Sequence, residues 1–211
     1  MSRLTGRGPG ESPLIGVLAL QGGVAEHVRA LTAVGARTRL VRRPGELDAL
    51  DGIVVPGGES SVLDKLSRSF GVAEPLRDAL LGGLPALVTC AGLLLLAETL
   101  TDAAPGQQTL GVLHVRARRN AFGSQLDSFE THLDLTGVGN VPAVFIRAPV
   151  IETCGDGVET LASVQDHVVA VRQGAITALA FHPELTDDLT VHSAFVAACA
   201  NAREAEQRRI A

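Results

Sequence analysis

A thiol at Cys90, an imidazole at His182 and a carboxylate at Glu184 are the residue types of a nucleophile, its base and the group that orients the base. Each sits where an apolar run stops. Leu84-Pro85-Ala86-Leu87-Val88-Thr89 ends at Cys90, and Ala91-Gly92-Leu93-Leu94 starts a helical pattern at once. A sharp strand-to-helix turn holds a nucleophile at the open end of a sheet. It also puts the thiol at a helix N-terminus, where the dipole and free N–H groups favour a thiolate. Ala91 and Gly92 are small enough for a ligand or another backbone to approach, and the Ala91 N–H is a candidate oxyanion donor. The second run, Ala175 to Phe181, ends in His182-Pro183-Glu184. A carboxylate two residues on can reach the ring nitrogen that does not face the thiol, which fixes the tautomer and stabilises the imidazolium.

The other cysteines and histidines lack such neighbours. Cys154 lies in a Gly/Asp segment and Cys199 on the apolar side of the last helical pattern. His27, His114, His132, His167 and His192 are read as structural. One Cys with one His is too small a ligand set for a metal, so neither a metal nor a cofactor is expected.

Two further groups bear on a substrate. Pro56-Gly57-Gly58-Glu59-Ser60 stops an apolar run and precedes a helix. It lacks the GxxxxGK[ST] pattern of a nucleotide loop, so its plain reading is a tight turn and its functional reading an oxyanion hole at Gly58. Arg116, Arg118, Arg119 and Arg147 form the second group. An arginine cluster is most often a solvated face, but Arg119 and Arg147 abut turns at strand ends. A guanidinium there suits capture of a substrate carboxylate.

These residues need a scaffold. The 211 residues suit one domain with a large core, expected over 13–202, between an N-terminal extension at 1–12 without order and a charged tail at 203–211. With six Phe and no Trp or Tyr, that core must be aliphatic. Leu14–Leu20, 38–41, 52–55 and 86–89 read as strands. Helices alternate with them: Val24, Val28 and Leu31 share one face, Ser60 or Ser61 can cap a helix to about Ser69, and Val72, Leu76 and Leu80 mark a third. This order implies a mainly parallel sheet covered on both faces. After Thr109 the segments 110–117, 129–135, 143–147, 168–172 and 175–181 are short and turn-bounded, and read as antiparallel additions. Val191, Ala194, Phe195 and Ala198 form the face of a last helix, beyond which Arg203 to Arg209 is expected to fray.

Net charge of -5 gives no electrostatic case for nucleic acid. No apolar run reaches membrane-spanning length, and three cysteines without CxxC spacing suit a reducing cytoplasm.

Taken together, the chain resembles the class I glutamine amidotransferases, which carry a strand-Cys-helix nucleophile and a His-x-Glu pair. Six segments narrow the likeness: 18–22 (LALQG), 56–60 (PGGES), 89–92 (TCAG), 119–123 (RNxFG), 145–149 (FIRAP) and 181–188 (FHPELTDD). In this order they resemble the glutaminase subunits of pyridoxal 5′-phosphate synthase over roughly residues 14 to 200. The resemblance implies a three-layer α/β/α fold and hydrolysis of L-glutamine to glutamate and ammonia. It implies as partner a (β/α)8-barrel synthase subunit in a large hetero-oligomer, which joins the ammonia with a pentose phosphate and a triose phosphate. By position, Cys90, His182 and Glu184 match the triad. Gly58, Glu59, Ser60, Arg119, Ile146 and Arg147 match glutamine-binding positions, and Gln21 one near the site and the partner interface. Gly23 stands where alanine is expected and Ser61 where threonine is common, and neither is expected to touch the triad. Two alternatives remain at this point: the glutaminase of another amidotransferase, and a non-enzymatic α/β protein with a redox-sensing cysteine.

Overall fold

The structure, a computed structural model, describes residues 11–119 and 128–210. The N-terminal extension up to residue 10 and Asn120, Phe122 and Gly123 of the 119–123 segment lie outside the described residues.

Three short apolar runs build the centre. Strands β1 (Leu14–Leu18), β3 (Gly52–Val55) and β4 (Ala86–Thr89) are buried at every position. Such continuous apolar runs are what a parallel strand covered on both faces requires. With β2 (Arg37–Val41) and β12 (Ile176–Leu179) they form a parallel array in the order β2-β1-β3-β4-β12. The array continues through antiparallel strands β11 (His167–Gln173), β9 (Val150–Cys154) and β6 (Leu113–Arg118), and β5 (Ala97–Thr101) closes it parallel to β6. A further strand, β10 (Val158–Val164), pairs with β11, while β7 (Ser128–Leu135) and β8 (Gly139–Ile146) form a separate antiparallel pair.

Two aliphatic cores cover the two faces, which makes three layers. Helices α2 (Ser60–Ser69), α3 (Ala73–Leu81) and α4 (Ala91–Leu96) pack on one face through Leu63, Leu76, Leu80 and Leu93 to Leu96. Helices α1 (Val24–Ala33) and α5 (Thr190–Ile210) pack on the other through Leu31, Val191, Phe195 and Cys199, together with the β7–β8 pair.

Four local expectations need correction. The run 175–181 is a strand, but it lies parallel to β4 rather than among the antiparallel additions. It therefore ends at the same edge of the sheet as β4. The cap of α2 is Glu59, whose carboxylate accepts the Val62 N–H at 2.8 Å, and not Ser60 or Ser61. The pair β7–β8 stands apart from the main sheet. Finally, the helix of 190–198 runs on through the charged stretch to Ile210. Arg203 is held there by the Glu11 carbonyl at 2.7 Å and by Asp51 at 3.5 Å.

Candidate active site

Adjacent parallel strands β4 and β12 bring Cys90 and His182 together, because each residue closely follows the C-terminal end of its strand. Ligand sites in such sheets lie at this carboxyl edge. Cys90 has φ 45° and ψ −105°, a strained turn for a residue with a side chain. That turn points β4 into α4 and is enforced from both sides. The Cys90 N–H donates to the Leu179 carbonyl at 2.8 Å, and its carbonyl accepts the Leu93 N–H at 3.0 Å. At Gly92 a Cβ would collide with the Val55 carbonyl, so the small residue lets α4 start against β3. The first N–H groups of α4, including that of Ala91, have no earlier turn to bond and stay available to an anion.

His182 is positioned by β8 and by the 3₁₀ turn Pro183–Leu185. Its backbone N–H donates to the Val144 carbonyl at 2.9 Å. Its Nδ1 lies 2.7 Å from Glu184 Oε1, which leaves Nε2 for the Cys90 thiol. Both are buried, at 9% and 6% exposure. Burial by itself would lower the imidazole, but hydrogen bonds with Cys90 and Glu184 outweigh it and push His182 up to about 10. Burial would raise the Glu184 carboxyl, yet the His182 hydrogen bond and the nearby His27 hold it below its usual range. This is the electrostatic pattern of an imidazolium held against a carboxylate.

The 56–60 segment forms the wall opposite. Gly57 is wedged against both partners: a Cβ there would overlap the His182 ring and lie 3.1 Å from Cys90 Cβ. The Gly57 N–H donates to Thr89 Oγ1 at 2.8 Å, and its carbonyl accepts the Gly23 N–H at 3.2 Å. Gly58 packs on the Gln21 amide, whose Oε1 accepts the Glu59 N–H at 2.7 Å. Gln21 thus fastens the loop. Glu59 reaches three partners besides: Val62 N–H, Ser61 Oγ at 2.6 Å and Arg119 at 2.9 Å. Ser60 is 3% exposed and its Oγ is without a hydrogen-bond partner among the described residues.

Arg119 therefore lies at this loop, with Gln107 at 3.3 Å on its other side. Ile146 ends β8 and Arg147 follows it, two and three residues beyond the carbonyl that holds His182. Both are exposed, and Arg147 has φ 43°, which turns the chain sharply at that edge. Arg118 instead pairs with Glu152 at 3.1 Å, and Arg116 is exposed on β6.

Sequence reasoning missed residues behind Glu184. His27 and His192, read as structural, join it in a buried cluster: His27 Nε2 lies 3.4 Å from Glu184 Oε2 and His27 Nδ1 lies 3.0 Å from His192 Nε2. Gly23 was not expected at the triad, yet it faces Glu184, and a Cβ there would sit 3.1 Å from Oε1.

Comparison with known proteins decides the family. Residues 17–201 match the model of the SNO glutamine amidotransferase family. This chain belongs to that family. A pyridoxal 5'-phosphate synthase subunit PdxT of Cutibacterium acnes is 60% identical over 189 residues, which cover 86% of this chain and 94% of that protein. One of Mycobacteroides abscessus is 55% identical over 186 residues, covering 88% and 96%. A crystal structure of a glutamine amidotransferase superposes with a TM-score of 0.83 at 44% identity, covering 88% of this chain and 98% of that one. A putative GMP synthase subunit from Thermoplasma acidophilum shares the fold, with a TM-score of 0.69 at 18% identity.

Proposed function

We propose that this family member hydrolyses L-glutamine to glutamate and ammonia and supplies the ammonia for the synthesis of pyridoxal 5′-phosphate. The observation that carries the chemistry is the buried His182 between the Cys90 thiol and Glu184, at the shared edge of β4 and β12. The pathway rests on the PdxT relatives, which match nearly end to end.

In this reading Cys90 is the nucleophile, His182 the base and acid, and Glu184 the carboxylate that holds its ring. The Cys90 thiolate attacks the side-chain amide carbon of glutamine. The N–H groups of Ala91 and Gly58 receive the oxyanion, a kind of contact worth about 10²–10³-fold in rate per donor. The His182 imidazolium gives its proton to the leaving nitrogen, and ammonia departs from a glutamyl thioester. A water that loses its proton to His182 then attacks the thioester, releasing glutamate and restoring the thiolate. Glu59, Ser60, Arg119, Ile146 and Arg147 bind glutamine, and a guanidinium suits its α-carboxylate. Gln21 holds the Gly58 loop on the side toward the partner.

The partner is a (β/α)8-barrel synthase subunit, met in a large cytoplasmic hetero-oligomer. Among the described residues no helix is long and apolar enough to cross a membrane. Transfer of amide nitrogen tests the pathway. With amide-¹⁵N-glutamine, this chain and the synthase subunit together are expected to place the label in pyridoxal 5′-phosphate. Label that stays in free ammonia, with none in the product, would contradict the assignment.

A further inference from the structure

The Glu184 carboxylate has two oxygens, and the triad uses one. Oε1 takes the His182 ring. Oε2 is buried and, among the described residues, has no partner at ordinary hydrogen-bond geometry. A buried carboxylate oxygen left without a donor is costly. The His27 ring is placed to supply one. It is fully buried on the first turns of α1, with Nε2 3.4 Å from Oε2 and 3.3 Å from Thr89 Oγ1.

The unpartnered Oε2 favours one arrangement of the protons. Burial holds His27 below its ordinary range, so the ring is neutral and carries one N–H. Burial also lowers His192, to about 4, so that ring is neutral too. Thr89 Oγ1 accepts the Gly57 N–H and keeps its own proton and a second lone pair, so it can meet His27 Nε2 in either tautomer. With the His27 proton on Nε2, it serves Glu184 Oε2, and Nδ1 is free to accept from His192 Nε2 at 3.0 Å. With the proton on Nδ1, Oε2 would face a lone pair. The groups around Glu184 are then His182 from the 3₁₀ turn, His27 and the Gly23 backbone from α1, with Glu26 and His192 acting on His27 from α1 and α5.

We propose that His27 is a positioning residue for glutamine hydrolysis: its Nε2–H holds the second oxygen of Glu184, and His192 fixes the tautomer that makes this possible. The chain His192–His27–Glu184–His182 runs from α5 to the thiol. Its branch at Thr89 reaches the Gly57 N–H, so the same cluster steadies the base and the loop wall. This inference rests on the glutaminase reading, and wild-type glutamate release in the same assay tests that reading separately.

The test uses His27→Met and His27→Gln in complex with the synthase subunit. Methionine fills the space without a donor, while the glutamine amide can place an N–H near the position of Nε2. His27→Met is expected to lower kcat about 10- to 100-fold, the size of a lost hydrogen bond to a charged group, with KM nearly unchanged. Losing the donor raises the Glu184 carboxyl, so the acid limb of kcat/KM is expected to move to higher pH. His27→Gln is expected to recover most of the rate and to return the limb. A purely packing role predicts lower thermal stability with the acid limb unmoved. A folded His27→Met with wild-type kcat and limb, or a folded His27→Gln as impaired as His27→Met, overturns the proposal. Should His27→Met fail to fold, the His27→Gln limb decides: an acid limb within experimental error of wild type supports it, and a limb moved to higher pH overturns it.

Discussion

Cys90 occupies a backbone conformation that few side chains adopt, and the strain is held by hydrogen bonds to β12 and α4. Alanine fits the same turn, so Cys90→Ala is expected to fold and to retain partner binding. It is expected to lose glutamate release by at least about 10⁴-fold, as when any nucleophile of a triad is removed. His182→Asn is expected to lose nearly as much. Glu184→Gln keeps a group near Nδ1 and is expected to retain more activity than either. Gly57 makes a sharper test, because it carries no reacting group. A methyl there overlaps the His182 ring. Gly57→Ala is expected to cut kcat about 100-fold, the cost of a small displacement of reacting groups, while partner affinity stays within about twofold. Wild-type turnover in Gly57→Ala would show that the 57–58 wall does not set the position of the imidazole. At this scale the sequence singled out Cys90, His182 and Glu184 by strand ends and a two-residue spacing, which are local signals, and the structure places His182 Nδ1 2.7 Å from Glu184 Oε1. It was not readable for His27. Its partners Thr89 and His192 lie 62 and 165 residues away, and nothing near a histidine on an amphipathic helix announces them.

The elements divide by how much of their environment is local. Strands β3 and β4 stop where Pro56-Gly57 and Cys90-Ala91 interrupt buried runs, and those stops are visible in the sequence. Strand β5 was missed because 97–101 follows four leucines of α4 without a breaker. Strand β12 was visible as a strand but not in its direction, since an isolated apolar run does not encode which neighbour it pairs with. The α2 cap misled because serine is a preferred N-cap residue, whereas Glu59 is tied by Val62, Ser61 and Arg119 at once. Glu59→Ala tests this double duty. It is expected to destabilise the fold by about 1 kcal/mol through the lost cap and to raise KM for glutamine as Arg119 loses its anchor. Denaturant titration reads the first effect and a glutamine saturation curve the second. A stability loss with unchanged KM would leave Glu59 a cap alone.

Across the whole molecule the sheet edge that carries Cys90 and His182 is joined to the cover of one face by buried histidines, and this couples stability to pH. Burial lowers both His27 and His192, the latter to about 4. Between pH 6.5 and about 4 the unfolded chain therefore takes up a proton at His192 that the folded chain refuses. The stability contributed by these two rings is fully present above pH 6.5 and falls as the solution is acidified through this window, by up to about 1.4 kcal/mol per pH unit for each such group. His192→Gln removes one titrating group and is expected to flatten that limb, read as the denaturant midpoint at several pH values. An equally steep limb in the variant would contradict the burial of a neutral ring there. The layered fold was legible from the β-α alternation and the aliphatic core, but the standing apart of β7–β8 was not, because strand patterns do not say which sheet a strand joins.

The most direct measurement is glutamate release from L-glutamine by the purified chain, alone and with the pyridoxal 5′-phosphate synthase subunit, with Cys90→Ala as control. Free ammonia is lost to water, so release is expected to rise sharply when the partner is added and to vanish in Cys90→Ala. Release that persists in Cys90→Ala, or none from the wild-type chain in the presence of the partner, would contradict a Cys90-His182-Glu184 glutaminase.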